Sequence, residues 1–142
     1  MQSIGRSKGG LTTKIHLVTT SAQSALVFRL SSGNAHDAPE GYELLEKILC
    51  DCGCYILMDK AYEGHKIRQK AMEQGFVPII PPKRNRKKPW LYDRELYKRR
   101  NEIERYFLRL KRFRRVFTRY DKLDLIYTGV IICAMLFDAI LM

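Results

Sequence analysis

The chain has 142 residues, enough for one domain with a sizeable core. Lysine and arginine number 26 against 15 acidic residues, and the net charge of +11 predicts a negatively charged partner, most commonly nucleic acid. The polar first residues, rich in Gly, Ser and Lys, lead us to expect no signal peptide. Charge alone leaves open a ribosomal-type or other RNA-binding protein.

The first half of the chain predicts strands and helices in turn. Residues 11–19 and 25–30 are rich in β-branched and apolar side chains, which is typical of two strands. Residues 31–39 read as a loop, and residues 40–49 have apolar side chains at helical spacing. Residues 55–58 form a short apolar run that suits a buried strand.

The second half continues the alternation. Residues 63–74 predict a helix that Gly75 ends, and residues 76–80 predict another buried strand. A long helix is expected from residue 94 to about residue 115, and a last helix over residues 123–141. This order indicates an α/β domain with a mixed sheet.

The last predicted helix contains an apolar run, residues 125–137, flanked by Asp124 and Asp138. Thirteen residues are too few to cross a bilayer, which takes about 20. We therefore expect a buried terminal helix, no membrane partner and a cytoplasmic protein.

Three cysteines form the pattern Cys50-x-Cys52-x-Cys54. A zinc finger would need two separated ligand pairs, whereas the nearest histidine is His65 and Cys133 is distant in sequence. Reduced thiols around a tight turn before a strand are therefore the expectation.

The most informative stretch covers residues 97–111 and has the spacing Y-x2-R-x3-E-x6-K. On a continuous α-helix, Tyr97, Arg100, Glu104 and Lys111 share one arc about 60° wide. An apolar stripe lies beside this arc, so one helix would carry a core face and a single acid framed by cations. The basic residues predicted on its solvent side are Lys98, Arg105, Arg109 and Arg112.

This spacing resembles the signature of the DDE transposases of bacterial insertion sequences, in the large group typified by elements numbered four and five. Five other segments resemble blocks of the same family, in family order, and together they cover nearly the whole chain. They are IGRSKGGLTTKIH at residues 4–16, GNAHDAPE at 33–40, DKAYEG at 59–64, IPPKRNRKKP at 80–89 and RRVFTRYDK at 114–122.

The resemblance implies an RNase H-like mixed sheet flanked by helices, and two catalytic acids. Asp59 would be the second acid of the triad and Glu104 the third, and both would bind Mg²⁺ or Mn²⁺ for two-metal cleavage of DNA. Asp59 also directly follows a predicted strand, and ligand sites form at the carboxyl ends of strands in α/β sheets. Asp37 matches a family block as well, and we expect a structural role for it.

The resemblance also implies DNA contacts, so Tyr97, Arg100 and Lys111 are expected at the DNA. The basic segment at residues 83–88, which is bounded by prolines, and the solvent side of the predicted long helix would contact DNA phosphates without reading the DNA sequence. Trp90 and Tyr92 either stack on a distorted base or anchor the segment to the protein body. The basic residues concerned are Lys83, Arg84, Arg86, Lys87, Lys88, Arg105, Arg109 and Arg112.

The family places its first aspartate upstream of the block at residues 4–16, and nothing acidic precedes Asp37 here. We therefore expect an incomplete RNase H-like catalytic domain at residues 1–115, without its first central strand, and a helical extension at residues 116–142. The chain would be either the downstream frame of a two-frame transposase or a remnant, and would not cleave DNA alone. An alternative is a non-catalytic DNA-binding fragment that interferes with intact transposase. Expected partners are DNA (element ends and target) and either further copies or an upstream transposase polypeptide, in a nucleoid-associated setting.

Overall fold

The computed structural model describes residues 2–141 and divides the chain into two compact units. One unit combines the residues up to Ala35 with those from Glu102 onward, and the second is His36–Asn101. The chain is a mixed α/β protein, as predicted. Its elements are β1 Gly5–Ser7, β2 Gly10–Ser21, β3 Ser24–Ser32, α1 Asp37–Leu45, β4 Tyr55–Leu57, a 3-10 turn Lys60–Tyr62, α2 His65–Glu73, β5 Val77–Ile79, α3 Arg94–Lys98, α4 Asn101–Leu110, α5 Arg114–Phe117 and α6 Asp124–Leu141.

The first unit contains an antiparallel sheet in the order β1-β2-β3. Strands β2 and β3 confirm both predicted strands, and Leu17 on β2 faces Phe28 on β3 in the register. Strand β1 was missed, because its three residues Gly-Arg-Ser show no apolar alternation. The sheet packs its apolar face onto helices of the same unit, in a core of Leu17, Tyr106, Leu110, Val116, Tyr127, Ile131 and Ala134.

Helix α6 corrects the prediction of a buried terminal helix. Its buried face presents Tyr127, Ile131 and Ala134 to the core, while Leu125 is 82% exposed. Over its 18 residues the mean hydropathy is 1.9, so by length and composition alone this helix could also cross a membrane. The predicted run was shorter because it stopped before Asp138, an acid that the fold buries in an ion pair.

The second unit contains a parallel pair of short strands, β4 and β5. A core of Leu45, Ile56, Ile67 and Ala71 fills the space between this pair and helices α1 and α2. Helix α1 starts at Asp37, three residues earlier than predicted, since Pro39 is tolerated within the first turn of a helix. The RNase H-like sheet and the domain boundary at residue 115 stay predictions.

Helix α2 ends as its sequence predicts. Gly75 has φ +82°, its N–H donates to the Met72 carbonyl, and the Phe76 N–H donates to the Ala71 carbonyl at 2.9 Å. This pair of hydrogen bonds is a Schellman motif, whose left-handed residue is normally glycine. A Cβ on Gly75 would lie 1.9 Å from the Cys50 carbonyl oxygen, so this position also needs glycine for space.

The single long helix predicted over residues 94–115 is wrong. Helix α3 ends at Lys98, Arg99 and Arg100 form a turn, and α4 begins at Asn101. In this turn the Arg99 N–H donates to the Leu96 carbonyl and the Arg100 N–H to the Tyr97 carbonyl, both three residues back. The hydrogen-bond pattern is therefore tighter than an α-helix. No Gly or Pro marks the break in the sequence, and the angular positions calculated for one continuous helix do not hold across it.

Candidate functional site

Asp59 lies just after β4, at the carboxyl end of a strand that pairs with β5. The Met58 N–H still donates to the Ile79 carbonyl, and Asp59 then caps the 3-10 turn, its Oδ1 accepting a hydrogen bond from the Ala61 N–H at 3.0 Å. The Asp59 side chain remains 48% exposed. The fold thus fixes the carboxylate at a strand end, as the sequence predicts, and leaves it open to solvent.

Arg100 forms an ion pair with this acid. Its Nη1 lies 3.2 Å from Asp59 Oδ2, and its guanidinium carbon lies 5.7 Å from the centre of the Tyr97 ring. The second unit therefore brings together Asp59, Arg100 and Tyr97, three residues singled out in sequence. Because both partners of the ion pair are partly exposed, it contributes at most about 1 kcal/mol and can rearrange readily.

Further acids gather around the Tyr62 phenol in the same unit. Burial raises the pKa of Tyr62, and the negative charges of Asp37, Asp59 and Glu40 raise it further. Asp37 and Glu40 belong to the first turn of α1, so the fold concentrates negative charge near the end of β4. The sequence gives no sign of this grouping, because Asp37 and Asp59 are far apart in the chain.

The other unit holds Glu104, which is exposed in the first turn of α4. Lys111 directly follows α4 and is also exposed, as are Arg105 and Arg112. All four side chains are accessible to solvent. Whether Asp59 and Glu104 act together stays a prediction, because they belong to different units.

Arg109 corrects the predicted basic outer face. Its side chain is 16% exposed, and its Nε donates to both carboxylate oxygens of Asp138 at 3.0 and 3.1 Å. Nη2 also donates to the Ala22 carbonyl, and the guanidinium lies 5.2 Å from the Tyr106 ring centre. Arg109 thus stabilises the interior of its unit, and the prediction from helical spacing that its side chain faces solvent is wrong.

The basic loop, residues 83–88, is held by an acid that the sequence reading missed. Glu63 is 8% exposed, and its Oε2 accepts hydrogen bonds from the Lys83 N–H at 3.1 Å and from Arg86 Nη1 at 2.9 Å. Burial raises the pKa of Glu63, but these hydrogen bonds and the charges of Arg86 and Lys83 outweigh it and lower the pKa overall. Arg86 is thereby committed to this contact, and the ammonium of the exposed Lys83 also lies 3.6 Å from Glu63 Oε1. Arg84, Lys87 and Lys88 are exposed.

Trp90 anchors the basic loop to the body of its unit. The guanidinium carbons of Arg68 and Arg86 lie 3.9 and 4.4 Å from the indole centre, and the indole N–H donates to the Ile80 carbonyl at 2.7 Å. Burial and the neighbouring Arg86 charge lower the pKa of Arg68. Of the two roles considered for Trp90, the contacts favour anchoring over base stacking.

The three cysteines of the C-x-C-x-C pattern converge, and we call them the thiol cluster. The Sγ atoms of Cys50 and Cys52 lie 3.7 Å apart, and those of Cys52 and Cys54 lie 3.2 Å apart. Hydrogen bonds from Cys54 lower the pKa of the Cys50 thiol to about 7, and hydrogen bonds with Cys50 and Cys52 raise that of Cys54 to about 12. None of the four cysteines forms a disulfide, and the reduced state of the thiols stays a prediction.

Comparisons with known proteins agree with the motifs. A sequence profile described as "Transposase DDE domain" matches residues 2–137. A Brucella ovis protein named as a transposase for insertion sequence element IS6501 is 31% identical over 134 residues, covering 89% of this chain and 98% of the relative. No solved structure matches the chain. The profile match includes the segments that carry Asp59 and Glu104.

Proposed function

The chain belongs to the transposase DDE domain family, among the transposases of bacterial insertion sequences, and from this membership we propose its function. It works in DNA transposition, in a reaction that cleaves and rejoins DNA phosphodiesters with Asp59 and Glu104 as metal-binding acids. The observation that carries this proposal is the Asp59 carboxylate, exposed at the end of β4 and paired with Arg100 of the signature motif.

The family uses divalent metal ions, and the chemistry of Asp59 suits them. Its carboxylate offers hard oxygen ligands, which Mg²⁺ and Mn²⁺ prefer, and each oxygen keeps capacity beyond its contact with Ala61 or Arg100. Asp59 belongs to no group of three potential ligands within the part of the chain that is described. Metal binding at Asp59 therefore needs further oxygen ligands.

A divalent ion at this site would supply positive charge for the attacking and the leaving oxygen of the phosphodiester. Asp59 is oriented for binding by its hydrogen bond from the Ala61 N–H. Arg100 neutralises the carboxylate before binding and, once released, is placed to contact a DNA phosphate. The exposed cations of the basic loop, with Lys111, Arg105 and Arg112, hold the backbone without reading sequence.

We propose the following fold, location and partners for the chain. The fold is an RNase H-like domain at residues 1–115 with a helical extension at residues 116–142. The chain acts in the cytoplasm at the nucleoid, on element ends and target DNA, with further copies or another transposase polypeptide. In this proposal the chain binds DNA, and Asp59 and Glu104 supply two acids of the catalytic triad.

Transposition assays test this function. The chain is expressed with whatever coding sequence precedes it in its element, as wild type, Asp59→Asn and Glu104→Gln. Removing a hydrogen-bond partner of a metal ligand reduces metal affinity or activity by about 10–100-fold. Replacing the ligand itself should therefore reduce end cleavage by more than about 100-fold. DNA binding should persist in both variants. Full activity in either variant, or loss of binding together with cleavage, contradicts the assignment.

A non-catalytic DNA-binding role is the second candidate, and the exposed cations of the basic loop favour it, because phosphate contacts need no acid. In this case the chain would reduce the activity of an intact transposase through mixed oligomers. Co-expression with an active relative distinguishes the roles. Interference that survives Asp59→Asn supports the second candidate. If the chain instead adds transposition activity, and Asp59→Asn abolishes that activity, the first candidate is supported.

A further inference from the structure

The thiol cluster has the dimensions of a metal site. The ligand sulfur atoms of Cys50, Cys52 and Cys54 all lie within 4.8 Å of one another. In a tetrahedral zinc site the Zn–S distance of about 2.3 Å places neighbouring sulfur atoms about 3.8 Å apart. The observed separations of 3.7 and 3.2 Å are close to this value, so small rotations of the side chains would suffice for coordination.

The backbone around the thiol cluster is fixed at both ends. The Cys50 N–H donates to the Gln74 carbonyl at 2.9 Å, and the Cys54 carbonyl accepts from the Val77 N–H at 2.8 Å. Between them Gly53 adopts φ +68°, a conformation that favours glycine and turns the loop back on itself. The loop is therefore preorganised, which lowers the entropy cost of binding an ion.

We propose that Cys50, Cys52 and Cys54 bind one thiophilic metal ion of the Zn²⁺ type, with its fourth position open to water or an external ligand. Soft thiolates select zinc-like ions, whereas the oxygen ligands of Asp59 select Mg²⁺ or Mn²⁺. The thiol cluster is thus chemically distinct from the proposed catalytic site. Both Cys52 and Cys54 are exposed, so an ion can enter without opening the fold.

The ion would act as a structural clamp. Cys50 follows α1 by a few residues, and Cys54 directly precedes β4, the strand that leads to Asp59. Three metal–sulfur bonds would close the loop between these two elements and hold β4 in place. Binding to the folded chain alone also raises stability by mass action.

The test uses the full chain, reduced by a phosphine that does not bind metal, and titrated with Co²⁺ and then Zn²⁺. We expect one Co²⁺ per chain with sulfur-to-cobalt charge-transfer absorption, displacement by one Zn²⁺, and an upward shift of the thermal midpoint with Zn²⁺. Alkylation followed by mass spectrometry should find three of the four thiols protected by Zn²⁺. The readout is independent of DNA cleavage, so it stands whether or not the proposed function does.

Single variants locate the site. Cys52→Ser should abolish the charge-transfer signal, and Cys133→Ser, which removes the exposed thiol outside the cluster, should leave it unchanged. Gly53→Val keeps all sulfur atoms but strains the turn, and should weaken Zn²⁺ binding at least tenfold. The proposal is overturned by a signal that survives Cys52→Ser, by dependence on Cys133, by one ion shared between two chains, or by no binding at all.

Discussion

At the scale of single residues, buried and half-buried acids hold the basic regions of this chain in place. Glu63 fastens the basic loop, Asp138 fastens Arg109, and Asp124 fastens Arg119 at 2.7 Å. Each acid pairs with an arginine that composition alone would assign to DNA binding. The net charge of the chain therefore overstates the number of cations available to a polyanion.

Glu63→Gln should destabilise the protein by about 1–3 kcal/mol, because it leaves the Arg86 guanidinium and the Lys83 N–H with a weaker partner in a buried place. Glu73→Gln is the matched control, since Glu73 is exposed on α2 and its carboxylate accepts a hydrogen bond from the side-chain amide of Gln69. Guanidinium denaturation measures both. Equal midpoints for the two variants would contradict the anchoring role.

Asp124 gives a prediction for acid stability. Burial raises its pKa, but hydrogen bonds from Ser3 and Arg119 outweigh this and lower it below the ordinary value of 3.8. A lowered pKa in the fold means that Asp124 stabilises the protein above about pH 4 and that this contribution is lost as the pH falls further. Asp124→Asn should therefore be less stable than wild type at pH 7, and the difference should shrink below pH 4. A difference in unfolding free energy that stays constant from pH 7 to pH 3 would contradict this.

At the scale of elements, the strands and helix ends that could be predicted are those that short stretches of sequence encode. Strands β2 to β5 follow from β-branched and apolar runs, and the end of α2 follows from Gly75. The turn at Arg99 and Arg100 could not be predicted, because it contains no helix-breaking residue. The solvent position predicted for Arg109 was wrong for a related reason. Helical spacing takes no account of Asp138, the distant residue whose ion pair buries Arg109.

Two glycines should respond in opposite directions to alanine. Gly75→Ala places a Cβ against the Cys50 carbonyl at a positive φ, and should cost more than about 1–2 kcal/mol. Gly129→Ala lies in the exposed interior of α6 with nothing within 4 Å, and should stabilise by up to about 1 kcal/mol. Thermal unfolding of the two variants measures both effects. Destabilisation by Gly129→Ala would show that α6 is packed differently.

At the scale of the whole molecule, the net charge of +11 predicts DNA binding that weakens steeply with salt. Lys87 and Lys88 are exposed in the basic loop, so replacing both with Gln should reduce the slope of log K against log salt by about 2. The control replaces Lys8 and Lys47, which are also exposed and carry the same charge. Fluorescence anisotropy with duplex DNA measures the slopes, and equal changes in both double variants would show that binding follows net charge alone.

The candidate site could be predicted only in part, because some of its contacts depend on how the whole chain folds. A strand followed by Asp59 is local information, and so is the signature spacing around Glu104. The ion pair with Arg100, the acids around Tyr62 and the converging thiols depend on residues brought together by folding. Only the family resemblance supplied roles for the acids, because an exposed aspartate after a strand and an exposed glutamate on a helix are common in proteins without catalysis.

The position of Trp90 has a practical consequence, because it is the only tryptophan in the chain. Its indole lies between the guanidinium groups of Arg68 and Arg86, so its fluorescence emission should change when the basic loop loses this anchorage. The protein thus contains a built-in optical probe at its proposed DNA-contacting segment. Binding, loosening or unfolding of that segment can be followed in real time without attaching a dye.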